Sequence, residues 1–196
     1  MPPAGSPNGT LRAAAGSVRP ARCGRLDAAG SGGEETMREP LAYLITWTCY
    51  GQWLRGDRRG YVDRRHRTPG TPYPWNHTDF FNADAVRMRE SHCWLTDDQR
   101  KVAEAAMREA CEFRGWHLHA VNVQPDHVHL VVKAVGYTGK QARARLKDRA
   151  TRQLKAAAPG RQKWWTEGGK VDLIFDERHL KQAIDYVNNR QPFPRV

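Results

Sequence analysis

Residues 124–132, Gln-Pro-Asp-His-Val-His-Leu-Val-Val, constrain the fold of this chain more than any other stretch. Pro125 and Asp126 form a turn signal, and a β-branched apolar run follows directly. Side chains in a strand alternate between its two faces, so His127 and His129 share one face while Val128 and its apolar neighbours share the other. The stretch therefore predicts a strand with one face in the core and two imidazoles side by side on the opposite face.

This histidine pair permits two interpretations. Two imidazoles on a rigid strand suit adjacent positions on one metal ion. A strand that carries histidines without any ligand has the same pattern, so the rest of the chain has to decide. A second pair with the same spacing, His117 and His119, does not follow a turn signal, and we interpret it as packing or hydrogen-bonding histidines.

The charge of the chain favours a polyanionic partner. It has 196 residues and a formal net charge of +11, with 32 Lys and Arg against 21 Asp and Glu. Nucleic acid is the usual partner of such a chain, and a solvated basic surface is the alternative. No stretch approaches the ~18 apolar residues that cross a bilayer. The four cysteines show no C-x-x-C spacing, which argues against a disulfide framework or a zinc site.

The composition divides the chain into a tail and one domain. Residues 1–36 are rich in Ala, Gly, Pro, Ser and Arg and have almost no large apolar residue. Such a segment cannot bury enough surface to offset its ordering entropy, so we expect a disordered tail. The domain then covers residues 37–196, and translation can begin at either Met1 or Met37.

The domain pattern predicts the element order β-loop-α-β-β-α-β-α, with an irregular segment from the first strand to about Leu95. This order matches an α+β fold, a ferredoxin-like antiparallel sheet with helices on one face and a long loop insertion after the first strand. The predicted landmarks are strands over 41–49 and 116–123, a hairpin into the His127 strand, capping boxes at Thr96 and Thr138, and a last helix after Asp176.

Two segments have the composition of a nucleic-acid contact. The long loop interleaves aromatic and basic side chains, which suits base stacking with phosphate pairing, although the rings can equally tether an irregular loop. The helix after Thr138 carries seven basic residues and one acid, Asp148, so internal ion pairs add little and we interpret it as phosphate-facing. The candidate DNA-binding residues are Trp53, Arg55, Arg58, Arg59, Arg143, Lys147, Arg149 and Arg152.

The last predicted helix places Tyr186 near several amides. A tyrosine hydroxyl can attack phosphorus and hold DNA covalently, but its ordinary pKa near 10 makes it a poor nucleophile without a nearby cation. A metal held by two imidazoles and one amide keeps open positions for a phosphate oxygen. A partly buried aromatic residue without any catalytic role is the alternative.

These features together resemble the HUH motif and flanking sequence of the IS200/IS605-like transposases, the single-tyrosine family, and of their REP-associated relatives. The resemblance runs from about Leu41 to Gln191. Its pieces are Trp47-Thr48-x-Tyr50-Gly51-x-Trp53-Leu54, Gly56-Asp57-x-x-Gly60, Gly115-Trp116-x-Leu118-x-Ala120-Val121, Pro125-Asp126-His127-Val128-His129-Leu130-Val131-Val132 and Ala183-Ile184-Asp185-Tyr186-Val187.

The resemblance implies the HUH endonuclease fold and an enzyme that cleaves and joins single-stranded DNA, in the bacterial cytoplasm with the nucleoid, acting on a DNA hairpin as a homodimer. It implies Mg²⁺ or Mn²⁺ on His127 and His129, with Tyr186 forming a 5′-phosphotyrosine link. Family members place a metal-binding glutamine four residues after the tyrosine, where this chain has Arg190. We therefore predict Gln191 as the third ligand, with Asn189 as the substitute.

Two other functions remain open. The changed spacing after Tyr186 also suits a domesticated nucleic-acid-binding protein that keeps the fold and the basic surface without transfer chemistry. In a third interpretation the protein is a metal-dependent phosphodiesterase in which water attacks the phosphate and Tyr186 is passive.

Overall fold

A computed structural model of the chain describes residues 39–58 and 77–189. The predicted tail over 1–36, the candidate residue Arg59 and the predicted ligand Gln191 lie outside the described residues. The elements are β1 (Ala42–Thr48), α1 (Thr78–Val86), α2 (Asp97–Phe113), β2 (His117–Val123), β3 (His127–Lys133), α3 (Gly139–Ala157), β4 (Lys170–Ile174) and α4 (Glu177–Asn189).

The four strands form one antiparallel sheet in the order β2-β3-β1-β4. Helix α2 connects β1 to β2, and α3 connects β3 to β4. This is the ferredoxin-like arrangement, and the predicted α+β fold class is confirmed. The strand that carries His127 and His129 is therefore an inner strand, paired on both sides, and its backbone is held in place by both neighbours.

Local signals set the ends of the two long helices, as predicted. Thr96 Oγ1 accepts from the Gln99 backbone N–H at 3.3 Å, and Gln99 Oε1 accepts from the Thr96 N–H at 3.0 Å. Thr138 and Gln141 form the same capping box at the start of α3. Helix α2 ends at Phe113, and Gly115 follows the C-cap Arg114 with a φ of 64°, a left-handed conformation that favours glycine. In the described ranges no helix is both long and apolar enough to cross a membrane.

The main core lies between the sheet and the helices α2 and α3. Val128, Leu130 and Val132 are fully buried in it, which confirms the predicted orientation of the strand. Full burial of such a side chain stabilises the fold by roughly 1.5–3 kcal/mol. Because side chains alternate along β3, this packing directs the two histidines to the other face of the sheet.

Two predictions about the helices need correction. The segment predicted to be irregular up to Leu95 contains the helix α1, which has no buried residue and therefore lacks the apolar periodicity that marks a helix. The helices also do not all lie on one face. Helix α4 packs on the face opposite to α2 and α3 because Val131 and Ile174 make that face apolar as well, and Ala183 and Val187 cover it.

Candidate active site

His127 and His129 stand together on the sheet face that α4 covers. On the neighbouring strand β1, Thr48 pairs with His127 and Thr46 pairs with His129. The two imidazole ring centroids are 4.8 Å apart, and their planes are nearly perpendicular at 86°. The inner strand thus presents two ligating side chains at adjacent positions.

A hydrogen bond orients each of the two rings. The Nδ1 atom of His127 lies 2.5 Å from the carboxylate of the buried Asp126, which can only accept, so the ring proton is on Nδ1. The Nδ1 atom of His129 lies 2.8 Å from the hydroxyl oxygen of Thr46. With both Nδ1 atoms used in this way, the Nε2 atoms are the ones that a metal ion would contact, as in many histidine-bound metal centres.

Burial keeps His129 neutral. The residue is 8% exposed. Desolvation, followed by the nearby His127, lowers the pKa of His129 to about 4, and the charge of Asp126 opposes this only in part. At neutral pH the ring is therefore unprotonated, which is the form that binds a metal.

Helix α4 places Tyr186 against the histidine pair. The ring centroids of Tyr186 and His129 are 5.4 Å apart in an edge-on contact with an interplanar angle of 89°. The buried side chains of Ala183 and Val187 hold this turn of α4 on the sheet. Tyr186 itself is 39% exposed, so its hydroxyl-bearing ring is open to a substrate from solvent.

Two amides complete this cluster, Asn122 on the edge strand β2 and Gln124 directly after its end, and neither was predicted as a site residue. Asn122 pairs with His129, and the Gln124 backbone N–H donates to the His127 carbonyl at 2.8 Å. Asn122 Nδ2 donates to the carbonyl of Val187 in α4 at 2.9 Å, and Gln124 Nε2 donates to Asn122 Oδ1 at 2.7 Å. The short Pro-Asp turn is the available signal, because it places Gln124 directly opposite His127.

The described residues fit a divalent cation only in part. Asn189, a predicted ligand, is exposed, and its Nδ2 donates to Asp185 Oδ1 at 3.0 Å. Over 39–58 and 77–189 no third His, Cys, Asp or Glu joins the two histidines in a group that could hold a metal. Imidazoles bind several divalent metals, and a carbonyl oxygen is the type of donor that Mg²⁺ and Mn²⁺ prefer, so we expect an amide as the third protein ligand.

Arg143 and Lys147 of α3, which we predicted to contact phosphate, are used inside the molecule. Lys147 Nζ donates to the carbonyls of Thr166 at 2.6 Å and Gly168 at 3.0 Å, and Arg143 donates to the carbonyl of Gly169. Burial, followed by the charge of Arg143, lowers the pKa of Lys147 to about 8. These two side chains hold the loop before β4, and their contact with phosphate remains a prediction.

The other two candidates on α3 form exposed ion pairs. Arg149 contacts Glu109 of α2 at 2.7 Å, and Arg152 contacts Asp148 one turn earlier. Exposed pairs of this kind contribute little to stability, so either guanidinium can exchange its partner for a phosphate at small cost. Their role in DNA binding stays a prediction.

The loop after β1 borders an open cleft. Trp53 is 42% exposed and has a φ of 57°, a left-handed conformation that costs free energy in a non-glycine residue. Arg55 pairs with Asp84 of α1 at 2.5 Å, and Arg58 is exposed. The residues that line the cleft include Trp53 and Arg55 from this loop and Lys163, Trp165 and Thr166 from the segment before β4.

The second histidine pair has a different environment. The ring centroids of His117 and His119 are 4.3 Å apart, next to an irregularity in the pairing of β2 with β3. His119 Nε2 is buried and has no hydrogen-bond partner within the described ranges. The predicted packing role is thus visible in the ring contact, whereas no hydrogen bond holds that nitrogen.

Comparison with known proteins identifies the family. The model of the family described as "Transposase IS200 like" matches residues 85–190, just over half of the chain, and this range includes His127, His129 and Tyr186. The chain belongs to the IS200-like transposase family. No curated protein matches it.

Solved structures that are similar to the chain at low identity include the following two. One, from Deinococcus radiodurans R1, is of a protein assigned as a transposase; it is 16% identical, with a TM-score of 0.45, and the match covers 83% of this chain and 98% of that chain. The other is a REP-associated tyrosine transposase bound to a REP hairpin; it is 14% identical, with a TM-score of 0.44, and the match covers 76% of this chain and 65% of that chain. The family assignment rests on the family model.

Proposed function

We propose that this transposase cleaves and rejoins single-stranded DNA in a metal-dependent reaction, with Tyr186 as the nucleophile. The observation that carries the proposal is the edge-on contact between Tyr186 and His129, on the sheet face that also bears His127. Residues from the end and the middle of the chain meet there. Convergence of a nucleophile with two potential metal ligands is the arrangement that phosphoryl transfer requires.

His127 and His129 would hold Mg²⁺ or Mn²⁺, together with an amide oxygen from the predicted candidates Gln191 and Asn189 or from elsewhere. When bound, the cation supplies Lewis acidity that polarises the phosphate and offsets its developing charge. Asp126 and Thr46 keep the two rings oriented for that role.

Tyr186 carries the covalent step. The phenol gives up its proton, and its oxygen forms a bond to phosphorus while the bond from phosphorus to the 3′ oxygen breaks. The 3′ oxygen leaves with that electron pair and takes up a proton, and the 5′-phosphate stays on the tyrosine. Attack on this 5′-phosphotyrosine by another 3′-hydroxyl then joins the strands and frees the phenol.

The open cleft is a suitable path for the DNA strand. Trp53 and Trp165 offer rings for base stacking, and Lys163 offers a charge for phosphate. Thr166 of the cleft lies 2.8 Å from Thr48, hydroxyl to hydroxyl, and Thr48 pairs with His127. Thr48 therefore connects the cleft residue Thr166 to His127. A hairpin substrate and a homodimeric enzyme complete the proposal; both follow from the family resemblance.

A covalent-complex assay tests the proposed function. The protein is incubated with Mn²⁺ and a labelled single strand that contains a hairpin, and denaturing electrophoresis separates free DNA from protein-linked DNA. We expect a protein-linked band that requires the metal and disappears in Tyr186→Phe. Tyr137→Phe is the matched control, because Tyr137 is 38% exposed and Tyr186 39%, and it should keep the band.

The other two functions give different results in the same assay. Cleavage that survives Tyr186→Phe without a protein-linked band would show hydrolysis by water. Binding without cleavage across a panel of hairpins would show a nucleic-acid-binding protein that has lost the chemistry. Either result contradicts the proposal.

A further inference from the structure

The amide of Gln124 is buried beside the histidine pair, and one of its atoms has no partner. The residue is 3% exposed. Its Nε2 donates to Asn122 Oδ1 at 2.7 Å, whereas its Oε1 has no hydrogen-bond partner among the described residues. Buried polar atoms in folded proteins nearly always have a partner, so an orphaned acceptor at this place points to a ligand.

The chemistry of the neighbouring groups determines which way this amide faces. The Val187 carbonyl can only accept, so Asn122 must present its Nδ2 to that oxygen. Asn122 Oδ1 then faces Gln124 and can only accept, so Gln124 must present its own Nε2. The neighbouring acceptors therefore fix the orientation of the Gln124 amide, and Oε1 rather than Nε2 is the atom without a partner.

The position of Gln124 relates its oxygen to the metal site. Gln124 lies opposite His127 across the hairpin, as Asn122 lies opposite His129. Opposite side chains on one face of an antiparallel pair have Cβ atoms about 4.5–5.5 Å apart, within reach of a shared ion. Carboxamide oxygens are hard donors that suit Mg²⁺ and Mn²⁺, and no carboxylate, thiol or third histidine in the described ranges fills this role.

We propose that Gln124 Oε1 is the third protein ligand of the His127–His129 metal site and that Asn122 is the positioning residue that orients it. The inference rests on the proposed function, since it names a ligand of the same site. It assigns the ligand to the β2–β3 turn, directly after the end of β2, rather than to the residues after Tyr186. It also links the metal site to the nucleophile, because Asn122 Nδ2 donates to the carbonyl of Val187, the residue after Tyr186 in α4.

Manganese binding without DNA tests this assignment independently of activity. The full chain is titrated with Mn²⁺, and the free ion is quantified by electron paramagnetic resonance. We expect Gln124→Met to weaken binding at least tenfold, because it removes the oxygen and keeps the approximate volume. Gln124→Glu should bind as tightly as the wild type or more tightly. Gln52→Met, which alters another buried glutamine, should leave the affinity unchanged.

The glutamate variant separates a ligand from a merely structural amide. Glu keeps the oxygen but loses the N–H that donates to Asn122, so a structural role predicts that Glu is as harmful as Met. Gln124→Glu also decides the question if Gln124→Met does not fold, because weakened binding in the Glu variant overturns the assignment. Unchanged affinity in a folded Gln124→Met overturns it too, as does a loss in Gln191→Met without a loss in Gln124→Met.

Failure of the proposed function looks different. If His129→Ala binds Mn²⁺ as well as the wild type, the histidine pair is not the metal site, and both proposals fail together. If His129→Ala abolishes binding while Gln124→Met does not change it, only the assignment of Gln124 fails.

Discussion

The chain carries two histidine pairs with the same spacing, and the structure gives them different surroundings. His127 and His129 lie on an inner strand, and each Nδ1 atom has a hydrogen-bond partner: the preceding residue Asp126 for His127, and Thr46 of β1 for His129. His117 and His119 lie on the edge strand β2, in contact with each other, and the buried Nε2 of His119 has no partner in the part of the chain described.

The difference shows that spacing alone does not make a metal site. Both pairs satisfy the alternation of a strand, so the pattern His-x-His cannot distinguish them. What distinguishes them is the set of neighbours: a carboxylate from the preceding turn, a hydroxyl from β1 and a tyrosine from α4 surround only the pair on β3. Orientation by such neighbours is what makes imidazoles good ligands.

The largest expected difference between the two pairs concerns the reaction. We expect His129→Ala to slow formation of the protein-linked DNA by about 100-fold or more, because the loss of one ligand removes most of the metal affinity. His119→Ala should change the rate less than about twofold. The rate is measured by quenched electrophoresis at fixed Mn²⁺, with circular dichroism to confirm that both variants are folded. Equal losses in the two variants would contradict the distinction.

The second difference concerns pH and stability. The pKa of His129 is about 4 in the folded protein and about 6.5 in an unfolded chain. Below pH 6.5 the unfolded state takes up a proton that the folded state does not. The free energy of unfolding therefore decreases as the pH falls from 6.5 towards 4.

We expect this proton uptake to lower the free energy of unfolding by on the order of 2 kcal/mol between those pH values. Urea denaturation of the wild type and of His129→Gln at several pH values measures it as the difference between the two profiles. Burial also lowers the pKa of His119, which is more exposed, so His119→Gln should alter the profile less. Parallel profiles for the wild type and His129→Gln would argue against a buried, neutral His129.

A third difference appears at constant pH, when the more buried ring of each pair is replaced by an apolar side chain. His119→Leu removes a buried nitrogen that lacks a partner, and we expect it to be neutral or to stabilise the protein by up to about 1 kcal/mol. His129→Leu leaves the Thr46 hydroxyl without its partner and should destabilise by about 1–2 kcal/mol. Both values come from urea denaturation at pH 7, and the opposite order would show that His119 is the better-satisfied residue.

The features predicted correctly from the sequence are those with local signals. Both capping boxes span only four residues, and the Pro-Asp turn before His127 predicts the hairpin. Alternation along β3 correctly separated the core side chains from the histidines. Helix α1 was missed because it buries no residue and so has no apolar stripe to detect.

The features that sequence reasoning could not supply depend on distant parts of the chain. Thr46 and His129 are 83 residues apart, and nothing near either residue indicates their hydrogen bond. The side of the sheet on which α4 packs depends on apolar residues in β3 and β4, and the prediction of helices on one face was wrong for that reason. Tyr186 was singled out through the family resemblance, and its local sequence does not distinguish it from a packing residue.

Because α4 packs alone on one face of the sheet, the main core and the proposed catalytic residues lie on opposite faces. The large core under α2 and α3 contains none of the proposed catalytic residues, whereas the small cluster under α4 adjoins all of them. A helix held by few buried side chains opens more readily than the rest of a domain, so the amides of α4 should exchange with solvent before those of α3. We therefore expect the nucleophile to be able to move while the layer that keeps the protein folded stays unchanged.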